Sequence, residues 1–162
     1  MRVAQIRTLD ISNGPGVRIS VFCSGCDHNC KGCFNTEARD FNYGDEFTDE
    51  MLDRIIEISN PNYVAGLSLL GGEPCHPSNI PDMTKLVKAF KEKYPDKTVW
   101  CWTGYLYDQV KSLELMDYLD VLVDGPFVEE LKDLRLKNRG SSNQRIIDIK
   151  ATKAGNNLIV LE

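Results

Sequence analysis

The sequence predicts one α/β domain over residues 1–162, folded as a partial, laterally open (β/α) barrel with a mostly parallel, curved sheet. Three observations carry that expectation. Short β-branched and aromatic runs alternate with stretches whose apolar residues recur every three or four positions, the pattern of strand–helix units joined by right-handed crossovers. At about 30 residues per unit the chain holds roughly five, short of the eight that close a barrel of about 250 residues. No Gly/Ser/Pro-rich tract, block of like charge or internal repeat divides it, and 162 residues with 42% apolar content suffice for one core.

The first core strand is expected at Val17-Arg18-Ile19-Ser20-Val21-Phe22, which is β-branched and aromatic with partial alternation. Thr48 is placed to cap a helix, with Asp49 and Glu50 in the first turn and Met51, Leu52, Ile55 and Ile56 at helical spacing. Val64 to Leu70 reads as a short apolar strand stopped by Gly71-Gly72. Pro81-Asp82-Met83 opens a second helix, in which Leu86, Val87, Phe90 and Tyr94 recur until Pro95 ends it. Thr98 to Trp102 is the next strand, Tyr105 to Met116 a helix, and Val121-Leu122-Val123 a strand ended by Asp124-Gly125-Pro126. A short helix near Val128 to Leu134 and a strand from Arg145 to Ile149 complete the series. Ligand sites of such sheets lie at the carboxyl ends of the strands. Cys23 to Cys33, Gly71 to Pro74, Thr103 to Tyr105 and Asp124 to Pro126 all fall there.

A net charge of −5 and a pI near 5.1 argue against nonspecific nucleic-acid binding, which uses a basic surface. Between Lys132 and Arg145 the balance reverses locally, with Lys132, Arg135, Lys137, Arg139 and Arg145 against Asp133; a solvated surface is the simpler reading and a docking patch the other. The first residues, Met1-Arg2-Val3-Ala4-Gln5-Ile6-Arg7, put charge where a signal peptide needs an apolar run, and no stretch approaches the roughly 18 apolar residues of a membrane span. A soluble cytoplasmic protein without membrane or nucleic-acid partners is expected.

Six cysteines in such a chain point to metal or redox chemistry rather than a disulfide framework, because the cytosol keeps thiols reduced. Cys26, Cys30 and Cys33 stand in the pattern C-x3-C-x2-C, whose short loops allow three thiolates to wrap one corner of a cubane cluster, with Gly25, Asn29 and Gly32 supplying the turns. The same spacing marks one face of a helix, but two glycines and two asparagines between Gly25 and Asn35 disfavour a packed helix. Adding Cys23 gives C-x2-C-x3-C-x2-C, so a four-cysteine zinc site and a fully ligated electron-transfer cluster remain alternatives. Against them, the pleat of the preceding strand fixes the direction of Cys23 independently of the loop. Three ligands leave one iron open to bind something, and cluster potentials reach about −700 mV, low enough to drive an electron into a sulfonium. Cys75 and His76 are adjacent, but neighbours on an extended chain point apart, which disfavours a nucleophile–base pair.

Cys26-x3-Cys30-x2-Cys33 followed at once by Phe34 resembles the signature of the radical S-adenosylmethionine superfamily, and Gly71-Gly72-Glu73-Pro74 after a strand resembles its second motif. Asn13-Gly14-Pro15-Gly16-Val17-Arg18 is similar to the opening motif of glycyl-radical-enzyme activases, with Asn13 where formate-lyase activases tend to carry Asp. Trp102-Thr103-Gly104-Tyr105, Asp124-Gly125-Pro126-Phe127 and Arg139-Gly140-Ser141-Ser142-Asn143-Gln144 resemble those activases that serve anaerobic ribonucleoside-triphosphate reductases. The resemblance runs from Asn13 to about Gln144; the tail from Ile146 carries no family motif. It implies a [4Fe-4S] cluster on Cys26, Cys30 and Cys33, with S-adenosylmethionine contacted by Gly32, Cys33, Phe34, Gly72 and Glu73. No further catalytic residue is implied. The implied partners are the large, glycyl-radical subunit of the reductase and an electron donor such as a flavodoxin or ferredoxin, with another glycyl-radical enzyme such as formate lyase as the alternative target. Cys23 receives no role.

Overall fold

The computed structural model describes residues 1–34, 36–155 and 157–161; Asn35, one of the asparagines expected to oppose a helix, lies outside the described residues. Four strands form the parallel centre: β2 (Val17–Cys23), β4 (Val64–Gly71), β5 (Thr98–Trp102) and β6 (Val121–Asp124). Helices α1 (Asp49–Ile58), α2 (Ile80–Lys93) and α3 (Tyr107–Val110) occupy the connections. Antiparallel strands complete both sides, β1 (Arg2–Asp10) and β3 (Asp45–Glu46) beside β2, and β7 (Arg145–Asp148) and β8 (Val160–Leu161) beside β6. The sheet order is β3-β1-β2-β4-β5-β6-β7-β8, an open sheet ending in two-residue edge strands. The parallel centre is as expected, whereas its antiparallel flanks make the sheet mixed.

Alternation along the central strands divides the core. Ile19, Val21, Leu67, Leu69, Val99, Cys101 and Leu122 face the helices and pack with Leu52, Ile55, Met83, Leu86, Val87 and Phe90. Trp100, Val121, Val123 and Ile146 form a smaller cluster on the opposite face. Arg18 shares that face and is fully buried. Its guanidinium donates to Ser68 Oγ, the Pro15 and Leu67 carbonyls, and both Thr98 Oγ1 and the Thr98 carbonyl, at 2.8–3.1 Å. Burial pulls its pKa down to about 10 against the attraction of Asp120 and Asp10, so it stays charged at neutral pH.

Thr48 caps α1, its Oγ1 accepting from Met51 N at 3.2 Å. Thr48→Ala is expected to lower stability by about 1 kcal/mol, read as a reduced urea midpoint at unchanged slope. Two expected helices are shorter than the pattern suggested. Tyr105 to Met116 breaks at Leu113, whose backbone is extended (ψ 141°), leaving α3 and a 3-10 turn at Glu114–Asp117. Both pieces bury their apolar residues, Val110 in one and Leu115 and Met116 in the other, so the periodicity is real without a continuous helix. Val128 to Leu134 retains only a 3-10 turn, Glu129–Leu131, which buries nothing that would hold a longer one. At the last strand, Ile149 opens α4 (Ile149–Gly155) instead.

Two carboxylates tie stability to pH. Burial alone would raise Asp120, but hydrogen bonds from Lys150, Val99 N and Lys91 outweigh it and hold its pKa below the ordinary 3.8. Asp10 behaves likewise, burial opposing hydrogen bonds from Ser20, Asn13 and Ser12 and the attraction of Arg7. A depressed folded-state pKa adds stability that is complete above the unfolded value and lost as pH falls through the folded one. The urea midpoint should therefore drop below about pH 4, with a shallower fall in Asp120→Asn.

Candidate functional site

The carboxyl ends of the parallel strands open into a cavity of about 550 Å³ on the face opposite the helices. The loop after β2 contributes Cys26, His28, Cys30, Cys33 and Phe34 to its lining. Gly72 and Glu73 come from the loop after β4, Thr103 and Gly104 from that after β5, and Gly125 and Phe127 from that after β6. The volume falls within the range of small-molecule sites, about 300–1,000 Å³.

Backbone contacts hold the cysteine loop against the glycine loop. Gly72 N donates to the Cys23 carbonyl at 2.8 Å and Glu73 N to the Gly25 carbonyl at 2.7 Å, while Gly25 N and Cys26 N donate to the carbonyls of Ala38 and Arg39. Gly71 adopts φ +116° with the Cys23 backbone 2.1 Å from where a Cβ would stand, and a Cβ on Gly72 would come within 2.5 Å of the Ala38 and Gly25 carbonyl oxygens. The two glycines thus let two backbones meet. Gly25, Asn29 and Gly32, the residues expected to turn the loop, all have positive φ.

Cys26, Cys30 and Cys33 are partly buried and border the one cavity. Burial pushes the Cys26 thiol up; a backbone hydrogen bond from His28 opposes this, while the charge of Glu73 and the neighbouring Cys30 and Cys33 adds to it. Cys23 is fully buried among the helix-facing core residues, where desolvation raises its pKa well above that of a free thiol. Its place in that core separates it from the cavity-lining cysteines, as the strand pleat implied. Among the described residues no three of His, Cys, Asp and Glu are grouped to hold a single ion. Three soft thiol donors around a cavity of this size suit a broader group, a [4Fe-4S] cluster.

Of the residues expected to touch S-adenosylmethionine, Cys33, Phe34, Gly72 and Glu73 line the cavity, whereas Gly32 is exposed beside Glu129. Phe34 lies against Phe127 with ring centroids 4.9 Å apart, and Lys132 Nζ stands 5.2 Å from its centroid. Glu73 is the most heavily bonded of these residues. Its side chain is 1% exposed and already accepts four hydrogen bonds, from His28 Nε2 (2.6 Å) and Gly104 N (2.7 Å) at Oε1, and from Thr103 Oγ1 (2.7 Å) and Cys75 N (2.8 Å) at Oε2. A carboxylate offers about four such positions, so the Glu73 side chain is committed within the protein even though the residue lines the cavity. That hydrogen bond and charge raise the pKa of His28 despite partial burial.

The remaining motifs brace the walls. Asn13 accepts from Ser68 Oγ through its carbonyl, Gly14 N donates to Asn138 Oδ1, and Trp102 Nε1 donates to the Asn138 carbonyl. Gln144 accepts from Gly140 N and donates to the Gly125 carbonyl, and Asn143 donates to the Pro126 carbonyl, so the segment 139–144 is stitched to the loop after β6. Within the basic segment, Arg145 pairs with buried Asp124 at 2.5 Å, Arg139 donates to the Ser142 and Gln144 carbonyls, and Arg135 pairs with Asp133. These three arginines are engaged within the chain, while Lys132 and Lys137 are exposed. Cys75 is buried in the helix-facing core with Cys101, whereas His76 reaches Asp27 at 2.7 Å, so the two adjacent side chains diverge as expected. His28 is the site residue the sequence reading missed; its only signal was a histidine within the first cysteine spacing.

Residues 12–147 match the 4Fe-4S single cluster domain family. Salmonella typhimurium has a protein named anaerobic ribonucleoside-triphosphate reductase-activating protein that is 46% identical over 148 residues, covering 89% of this chain and 96% of the relative. The Escherichia coli K12 protein of that name is 45% identical over the same shares, and that of Enterobacteria phage T4 is 37% identical over 146 residues, or 90% of this chain and 93% of the relative. With its cysteine loop inside the matched domain and most of its length aligned to these relatives, the chain belongs to the family of anaerobic ribonucleoside-triphosphate reductase-activating proteins.

Proposed function

We propose that the chain activates an anaerobic ribonucleoside-triphosphate reductase by generating its glycyl radical, as an enzyme of the radical S-adenosylmethionine type. The observation that carries this reading is the shared cavity, where Cys26, Cys30 and Cys33 meet the glycine loop after β4 while Cys23 is withdrawn into the core. The three cysteines hold a [4Fe-4S] cluster, and Phe34, Gly72 and the backbone at Glu73 border S-adenosylmethionine; Gly32 serves by turning the loop. When bound, the cluster, reduced by the external donor, would supply the one electron for reductive cleavage of S-adenosylmethionine to methionine and a 5′-deoxyadenosyl radical able to take a hydrogen atom from a glycine of the reductase.

The chain's own contribution is position and exclusion of water. Phe22, Leu70 and Trp102 give the cavity an apolar floor, and Phe34 with Phe127 forms one side of its mouth. The sheet has open edges at β3 and β8, and we read its curvature as a laterally open barrel whose free side admits the glycine loop of the partner. Holding that loop within reach of the reacting carbon is a matter of proximity, where preorganisation contributes most. No acid–base group is needed, and Glu73, the one fully buried carboxylate in the lining, is already bonded four times. An electron donor such as a flavodoxin or ferredoxin and a cytoplasmic setting complete the reading; among the described residues no helix is long and apolar enough to cross a membrane.

The test is the electron paramagnetic resonance spectrum of the anaerobically reconstituted, reduced protein with and without S-adenosylmethionine. A spectrum that shifts, with 5′-deoxyadenosine formed and a glycyl radical appearing on added reductase, supports the reading. An unchanged spectrum without cleavage leaves an electron carrier, and bound zinc in place of iron overturns it.

A further inference from the structure

The first cysteine spacing contains two residues, Asp27 and His28, that reach across to the loop after β4. His28 Nε2 donates to Glu73 Oε1 at 2.6 Å, and His76 Nε2 lies 2.7 Å from Asp27 Oδ2. The two struts are unequal. Asp27 is 71% exposed, and ion pairs in such settings contribute little. The His28 strut is anchored on a carboxylate that is 1% exposed, tied within its own loop through Cys75 N and to the loop after β5 through Thr103 Oγ1 and Gly104 N.

The surroundings of His28 are shaped for an imidazole. Tyr105 meets the ring edge-on with centroids 4.6 Å apart. Gly104 leaves the other approach bare, since a Cβ there would stand 2.6 Å from the ring. A ring gripped at one nitrogen, against an aromatic edge and a bare glycine, has little freedom, and it lies between Cys26 and Cys30 in the chain. We infer that His28 is a positioning residue: held by Glu73, it fixes the Cys26–Cys30 loop against the ends of β4 and β5, and the Glu73 carboxylate serves the site through His28 rather than by touching the cofactor. The inference rests on the reading that Cys26, Cys30 and Cys33 hold the cluster. It treats the histidine–carboxylate pair as an outer support of cluster ligands, the kind of group whose loss typically weakens metal binding by about 10–100-fold.

The experiment compares full-length wild type, His28→Ala and His28→Gln, whose amide can still donate to Glu73. In the iron-free chain, iodoacetamide labelling of Cys26 and Cys30 is followed by mass spectrometry with buried Cys101 as the internal measure of folding. After anaerobic reconstitution, iron affinity and the spectrum of the reduced cluster are recorded. His28→Ala is expected to label roughly tenfold faster at Cys26 and Cys30, to bind iron about 10–100-fold more weakly and to broaden the spectrum, with Cys101 still protected and His28→Gln returning towards wild type. Wild-type labelling and iron affinity in His28→Ala overturn the inference. Should wild type itself take no iron on Cys26, the functional reading fails, and the labelling rates alone then decide whether the strut orders the loop. Should His28→Ala expose Cys101, His28→Gln and Glu73→Gln decide: faster labelling of Cys26 and Cys30 in Glu73→Gln than in His28→Gln supports the inference, and wild-type rates in both overturn it.

Discussion

Alanine at Cys26, Cys30 or Cys33 is expected to abolish S-adenosylmethionine cleavage, lowering 5′-deoxyadenosine formation by at least about a hundredfold, whereas Cys23→Ala keeps it. The contrast follows from where the sulfurs lie. Three border the cavity from a loop of turns, and the fourth sits on β2 among Val21, Leu69 and Met83 in the helix-facing core. On the proposed assignment, removing a loop thiol strips the cluster of a ligand, and among the described residues lining the cavity no fourth cysteine stands in. Removing Cys23 deletes one buried sulfur from a packed interior, which lowers stability by about 1 kcal/mol without touching the site. Iron content per chain and the product assay measure both effects. A Cys23→Ala protein that folds but takes up no iron would falsify the three-cysteine assignment and restore the four-cysteine reading.

Gly72→Ala is expected to cut iron loading severely and to lower stability by about 1–3 kcal/mol. The added methyl meets two carbonyl oxygens at 2.5 Å, those of Gly25 and Ala38, and neither is the end of a flexible side chain. Relief requires the glycine loop and the cysteine loop to separate, breaking the bonds from Gly72 N to the Cys23 carbonyl and from Glu73 N to the Gly25 carbonyl. Gly155→Ala is the control, because nothing lies within 4 Å of the new methyl group at the end of α4. Thermal midpoints and iron per chain for the two variants separate a general effect of adding a methyl from one aimed at the site.

What the sequence disclosed depended on how strongly each element is buried. The centre of the sheet was legible because β2, β4, β5 and β6 are almost wholly buried and so consist of apolar runs ended by glycine or polar turns. β1 was missed because only Val3 and Asp10 of its nine residues are buried, which leaves little alternation to read. β8 is two exposed residues beside β7 and has no pattern at all. At the site, the cysteines and the glycine loop were found through spacing. The role of Glu73 was not, since its partners His28 and Thr103 lie 45 and 30 residues away and only the fold brings them together. Gly32 illustrates the converse, being correctly read as a turn and placed outside the cavity lining by that same turn.

The long reach of those contacts sets an order of assembly. The cysteine loop is held by Ala38 and Arg39, then by Gly72 and Glu73, and finally through Glu73 by Thr103 and Gly104. A chain emerging from the ribosome therefore displays all three thiols long before the strands that arrange them exist, and contacts of such sequence separation form late. On the proposed assignment of Cys26, Cys30 and Cys33 to the cluster, iron delivered to the nascent chain would meet loose thiols, and iron delivered after residue 104 has joined the sheet would meet an arranged site.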